Sequence, residues 1–134
     1  MPKKLIGDQI RLKQVLVNLT KNALKFSFNR WVKIRACYDP LNELLKVEVV
    51  DNGLGISAAQ MSKLFKLFGK LGESSSELEN IEGIGMGLFI CRQIVTNLGG
   101  NIDCYSAGEG RGSTFTFTMP MAEPPEETMR INNL

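Results

Sequence analysis

Three stretches of this chain hold residue types that could do chemistry. The first is Asp51-Asn52-Gly53-Leu54-Gly55-Ile56, where an apolar alternating run stops at a carboxylate. An ionised Asp only accepts hydrogen bonds, so it could take one from an exocyclic amine. Glycines beside it would let a flat ring approach the backbone. The same residues make good turn chemistry, so a plain strand-ending turn stays open. The second is Gly83-Ile84-Gly85-Met86-Gly87-Leu88, which leads into an apolar helical pattern. N–H groups at a helix start attract anions, and glycines let phosphate oxygens come close. No Gly-Lys-Ser/Thr follows and no strand precedes, so neither a Walker loop nor a dinucleotide fingerprint is present. A hinge before a helix fits equally well. The third is a polar stripe of Arg11, Gln14, Asn18, Asn22 and Lys25. The Asn22 amide oxygen suits a hard cation such as Mg²⁺, and Lys25 suits a phosphate. A solvated helix face is the ordinary alternative.

The elements that must position these groups are legible. Asp8 is a good N-cap, and the spacing predicts a helix from there to about Phe28. At ~100° per residue Leu12, Val15, Leu16, Leu19, Ala23 and Phe26 form its core face. Residues 32–38 and 45–49 alternate as strands around Asp39-Pro40-Leu41-Asn42, a hairpin turn. Ser57 with Gln60 reads as a capping box for a short helix with Met61, Leu64, Phe65 and Phe68 apolar. Residues 69–86, rich in Gly and Ser, read as a mobile loop. A helix from Gly87 to Leu98 closes at Gly99-Gly100. Strands near 101–106 and 113–119 flank a glycine-rich turn.

Composition removes whole classes of function. The 134 residues suit one domain, with 43% hydrophobic and 22% charged residues and a net charge of +2. There is no basic excess for nucleic acid, and no apolar run nears the ~18 residues of a membrane span. Three odd, widely spaced cysteines, Cys37, Cys91 and Cys104, show neither zinc nor disulfide spacing and read as reduced, intracellular thiols. There is no histidine. A Ser-His-Asp triad, a Cys-His dyad and a His-ligated metal are therefore excluded. Residues 1–120 read as the folded unit and 121–134, with Pro124, Pro125 and three Glu, as an exposed acidic tail.

Taken in order, the motifs resemble the ATP-binding catalytic domain of sensor histidine kinases, in the superfamily of gyrase, the mismatch-repair ATPase and the heat-shock chaperone. The N box is Asn18-Leu19-Thr20-Lys21-Asn22-Ala23-Leu24-Lys25-Phe26. The first glycine box is 51–56 and the F box Leu64-Phe65-Lys66-Leu67-Phe68. The second glycine box is 83–88, and the closing signature is Gly110-Arg111-Gly112-Ser113-Thr114-Phe115-Thr116-Phe117. Five boxes span residues 8–120.

The resemblance implies an α/β two-layer sandwich, a mixed β-sheet with α-helices packed on one face (the Bergerat ATP-binding fold). It implies ATP and Mg²⁺ as cofactors. Asp51 would bind the adenine amine, with Gly53, Gly55 and Ile56 beside the ring and Thr114 supporting Asp51 through its hydroxyl. Asn22 would ligate Mg²⁺; Asn18, Lys25 and Lys70 would serve the phosphates and catalysis. Phe68, Gly83, Gly85, Met86, Gly87 and Leu88 would line the nucleotide site, the glycines letting a lid close. Ile84 stands where relatives often carry Thr, so that hydroxyl contact is missing. Relatives also carry another strand before Leu5-Ile6-Gly7-Asp8, so one sheet edge is expected to lack cover.

In the superfamily's ATPases a Glu one turn before the metal-binding Asn acts as general base. Here Asn18 stands there, and an amide takes no proton at neutral pH. The expected function is therefore a protein-histidine kinase domain of a two-component, possibly hybrid, sensor. Its partners would be a histidine-bearing dimerisation and phosphoacceptor domain and, indirectly, a response regulator or receiver domain. A cytoplasmic location and a monomeric isolated domain are expected, without nucleic-acid or membrane contact. The alternatives are a regulatory ATP-binding module without transfer and a protein-serine kinase or ATPase of the same superfamily.

Overall fold

A computed structural model describes residues 1–24, 31–68 and 85–125, with the backbone alone for 65–68, 85 and 86. Helix α1, Gln9–Leu24, starts where expected. The Asp8 carboxylate accepts the Arg11 N–H at 2.9 Å, satisfying a first-turn donor that has no helical partner. Its Val15 and Leu19 are buried, with Leu12, Leu16 and Ala23 packed at the margin. The expected last turn, 25–28, lies outside the described residues.

Strands β1, Val32–Asp39, and β2, Leu44–Asp51, form the expected hairpin. Asp39 Oδ1 accepts the N–H groups of Leu41 at 3.0 Å and Asn42 at 3.3 Å, which pins the turn. Helix α2, Ala58–Phe68, opens on a reciprocal capping box. The Gln60 side chain accepts the Ser57 N–H at 3.1 Å, and the Ser57 hydroxyl accepts the Gln60 N–H at 3.2 Å. Helix α3, Gly85–Asn97, starts two residues before the expected Gly87. It ends in a Schellman motif: Gly100 N–H reaches the Val95 carbonyl at 2.8 Å, Gly99 N–H the Thr96 carbonyl at 3.0 Å, and Gly99 has φ 87°. Strands β3, Ile102–Tyr105, and β4, Ser113–Pro120, complete the chain.

The sheet order is β1-β2-β4-β3. Where the resemblance implied a mixed sheet, all three ladders among the described strands are antiparallel. Two are hairpins, whose short turns permit nothing else. The α/β sandwich otherwise has the expected layers. Leu45, Val47 and Val49 of β2, Phe115, Phe117 and Met119 of β4, and Ile102 and Cys104 of β3 point into one core. Their alternates, Lys46, Glu48, Thr114, Thr116 and Thr118, lie on the opposite face. No helix among the described residues is long and apolar enough to cross a membrane.

Two boundary features differ from the composition. Met121, assigned to the tail, is buried, because it continues the inward phase of Phe117 and Met119. Its carbonyl accepts the Tyr38 hydroxyl at 2.8 Å, and Ala122 exchanges backbone hydrogen bonds of 2.7 and 2.9 Å with Ile6. At the other margin β1 is an edge strand. Ile34 pairs with fully buried Val49 yet is 52% exposed, so the helix layer stops over β2.

Candidate functional site

Asp51 is the only buried charged side chain among the described residues. The end of β2 positions it, and both carboxylate oxygens are engaged. Gly53 N–H donates to Oδ1 at 2.8 Å, and the Ser113 hydroxyl donates to Oδ2 at 2.7 Å. Each oxygen keeps a further lone pair for an incoming amine donor. The hydroxyl that supports Asp51 is thus that of Ser113 and not of Thr114. Ser113 is the ladder partner of Asp51, while Thr114 pairs with Val50 and Tyr105 one pleat on, facing the other side of the sheet. The sequence carried this signal, because Ser113 shares the phase of inward Phe115 and Phe117.

The glycines around Asp51 let two backbone segments meet. Gly55, at φ +71°, abuts the Gly108 carbonyl, and an added Cβ would collide with it. Gly112, at φ +69°, lies as tightly against the Asp51 carbonyl. Ser106, which sequence reasoning missed, binds the two segments together. Its hydroxyl accepts the Ile56 N–H at 3.0 Å and donates to the Gly112 carbonyl at 2.7 Å. Gly110 N–H to Leu54 O, 2.6 Å, and Gly112 N–H to Gly53 O, 3.1 Å, add two more ties. The 53–56 turn is therefore built before any ligand arrives. Ile56 faces the core at 4% exposure, so its side chain is structural.

The second constellation is a cavity of about 510 Å³ lined by Asn18, Lys21, Asn22, Leu24 and Gly87. Helix geometry places Asn18 and Asn22 one turn apart on α1, and the start of α3 brings Gly87 opposite. Asn22 Nδ2 is buried with no hydrogen-bond partner. An orphaned buried amide costs about 1–3 kcal/mol, so it marks a place where a polar ligand is missing. Gly87 has nothing within 4 Å of where a Cβ would stand. The open space in front of it borders the first turn of α3, where unpaired N–H groups favour anions. Lys21 adds a cation that the sequence reading had left unassigned; its place beside Asn22 was the available clue. Asn18 stands beside the buried Cys91 thiol, which donates to the Val15 carbonyl at 3.9 Å. Burial pushes that thiol up to about 11 although Asn18 favours the thiolate, so it stays protonated. Burial, with Asp103 and Asp51 nearby, pushes Cys104 up to about 12. Neither cysteine is a nucleophile in this state, and all three are free thiols.

Leu88 is fully buried in the core and backs the cavity without lining it. Lys25, Lys70, Gly83 and Ile84 lie outside the described residues, as do the side chains of Phe68 and Met86. Gly85 begins α3. A short stretch of chain joins the two constellations. Leu24 ends α1, and seven residues later the Trp31 N–H donates to Asn52 Oδ1 at 2.8 Å, directly beside Asp51. A seven-residue link reaches at most ~25 Å.

A buried carboxylate on a prebuilt turn and an anion-ready cavity in one α/β sandwich are the parts of a nucleotide-binding domain. Comparison with known proteins gives its family: residues 7–123 match the histidine kinase-, DNA gyrase B-, and HSP90-like ATPase family, and the chain belongs to it as a catalytic ATP-binding domain of the sensor-histidine-kinase kind. It is 36% identical over 127 residues to the aerobic respiration control sensor protein ArcB of Escherichia coli, covering 95% of this chain and 16% of that protein. It is 33% identical over 143 residues to hybrid signal transduction histidine kinase K of Dictyostelium discoideum, covering 99% of this chain and 12% of that one. The chain thus spans a small fraction of these relatives. Among solved structures it resembles the mycobacterial sensor histidine kinase MprB, with TM-score 0.65, 25% identity, and 89% and 78% of the two chains covered. It also resembles the nucleotide-free catalytic domain of histidine kinase ThkA, with TM-score 0.61, 28% identity, and 88% and 71% covered.

Proposed function

We propose that this domain holds Mg-ATP with adenine on Asp51 and phosphates in the Asn18–Asn22–Gly87 cavity, and gives the γ-phosphoryl group to a histidine on another domain. The observation that carries this reading is the buried, partnerless amide nitrogen of Asn22, a residue that lines that cavity. Turned about its last side-chain bond, the amide offers an oxygen, the donor that hard cations prefer. The described residues hold no cluster of three metal-ligating acidic, Cys or His side chains. The donor set therefore fits a Mg²⁺ shared among Asn22, waters and phosphates. When bound, that ion would neutralise phosphate charge. Lys21 and the first N–H groups of α3 would add to the neutralisation, and Lys25 and Lys70 would join them from segments 25–30 and 69–84.

In the transfer, an imidazole nitrogen of the acceptor attacks the γ-phosphorus. A P–N bond forms, the bond from γ-phosphorus to the β,γ-bridging oxygen breaks, ADP leaves, and the imidazole proton goes to solvent. The 134 residues contain no histidine, so the acceptor lies outside them. The dimerisation and phosphoacceptor domain of a sensor kinase on the cytoplasmic side is the partner this reading names, with onward relay to a response regulator or receiver domain.

Asn18 separates transfer from hydrolysis. Its amide cannot take a proton from water, so water attack goes without a base. Asn18→Glu should raise phosphate release at least ~10-fold with nucleotide binding intact, a general base contributing typically 10²–10⁴-fold. No rise would remove that role from position 18. The transfer itself is tested by incubating the domain with γ-labelled ATP and a separate histidine-bearing dimerisation domain. Acid-labile, alkali-stable label on the acceptor is expected; acid-stable label or none would overturn the reading.

A further inference from the structure

The turn that runs from Asp51 to Ile56 is held at each end by a serine. At its start the Ser113 hydroxyl donates to Asp51 Oδ2 at 2.7 Å. At its finish the Ser106 hydroxyl, just past the end of β3, accepts the Ile56 N–H at 3.0 Å. Ser113 touches the carboxylate itself. Ser106 touches only backbone, and its whole hydrogen-bonding capacity is taken up there. A hydroxyl has one proton to give and two lone pairs to receive. The lone pairs receive the N–H groups of Ile56 and, at 3.2 Å, of Gly108. The proton goes to the Gly112 carbonyl at 2.7 Å, with the Gly108 carbonyl farther off at 3.3 Å. No capacity remains for a ligand, so Ser106 acts on a nucleotide only through the backbone that it holds.

That backbone decides how closely a flat ring can approach. Gly55 abuts the Gly108 carbonyl, with no room for a Cβ between them. Ser106 grips both sides of this contact: Ile56, the neighbour of Gly55, on one side and Gly108 on the other. The other ties between the two turns, to the carbonyls of Gly53 and Leu54, are made before Gly55 is reached. Of these ties, that of Ser106 is the one made beyond it.

We propose that Ser106 is a positioning residue for base recognition. It sets the Gly55 backbone where a ring can lie against it while the ring's amine meets Asp51. The proposal rests on the nucleotide reading above and names a residue that makes the site selective for adenine. Guanine carries a carbonyl where adenine carries its amine, and an ionised carboxylate can only accept. A loosened turn therefore costs adenine a bond that guanine never makes.

The test measures ATP and GTP affinity by calorimetry with Mg²⁺ present, and stability by denaturant titration. The chains are wild type, Ser106→Ala and Ser106→Thr. Ser106→Ala should weaken ATP binding ~10-fold and GTP binding less than ~3-fold, so the preference for ATP shrinks. Ser106→Thr keeps the hydroxyl and should restore ATP affinity to within ~3-fold of wild type. A residue that serves folding alone would lower both affinities together, because the unfolded chain binds neither nucleotide. Equal losses for ATP and GTP, or lost stability with ATP affinity kept, would overturn the proposal and leave the nucleotide reading standing. Should Ser106→Ala not fold, Ser106→Cys takes its place, since a thiol is a weaker donor and acceptor. It should shrink the ATP preference by a smaller factor, and an unchanged preference would overturn the proposal. A wild-type chain that binds ATP no better than GTP would overturn the adenine reading of Asp51 and this proposal with it.

Discussion

The two ends of the proposed nucleotide site are built on opposite plans. At the proposed adenine end the polar groups are tied together: Asp51 accepts from Gly53 and Ser113, and Ser106 ties the 53–56 turn to the 106–112 turn. At the proposed phosphate end one atom, Asn22 Nδ2, is buried without a partner, and Gly87 faces open space. The first end is preorganised, so its recognition costs little ordering on binding. The second carries an unmet hydrogen-bonding demand that ligand phosphate and metal would satisfy. Change at the adenine end should therefore cost stability and affinity together. Change at the phosphate end should cost affinity alone.

The largest contrast is between two glycines. Gly112→Ala puts a Cβ into the Asp51 carbonyl at positive φ and should destabilise the fold by about 2–3 kcal/mol in a denaturant titration. Gly87→Ala, a helical glycine with nothing near its Cβ, should leave stability equal or up to ~1 kcal/mol higher while weakening ATP binding. Equal destabilisation by the two would erase the contrast. Next comes Asp51→Asn, which replaces an acceptor by a group that also donates. Adenine nucleotide affinity should fall about 10- to 100-fold by calorimetry, the worth of one hydrogen bond to a charged partner. Unchanged affinity would take Asp51 out of the site.

Asn22→Ala should lower Mg-ATP affinity about 10-fold while changing stability by less than ~1 kcal/mol, because its Nδ2 has no hydrogen bond to lose. A large stability loss would mean that the amide has a structural partner. The smallest effect separates neighbours. Ser113→Ala should cost about 1 kcal/mol of stability and a few-fold in nucleotide affinity, whereas Thr114→Val, on the far face of the sheet, should cost neither. A reversed pattern would return the Asp51-supporting role to Thr114.

Much of this was legible because it is local. The Asp8 cap, the Ser57–Gln60 capping box and the Gly99-Gly100 stop each depend on residues within a few positions, and all stand where their chemistry places them. What was misread depends on which side of a strand a residue takes. Ser113 and not Thr114 supports Asp51, and Met121 packs inward instead of joining the tail, because near a strand end one residue of phase reverses the face. Ser106 was not found at all. Its four hydrogen bonds join Ile56, fifty positions away, to Gly108 and Gly112 of its own turn, and no spacing rule reports such a meeting.

The sequence by itself determined the elements, the five ordered motifs and the absence of any acceptor histidine, since composition, caps and periodicity are properties of neighbouring residues. Only the tertiary structure decided that Asp51 would be held from both sides and Asn22 left waiting. A hydrogen bond is made or withheld by where β4, α1 and α3 come to rest against β2, and that is set by the packing of one shared core.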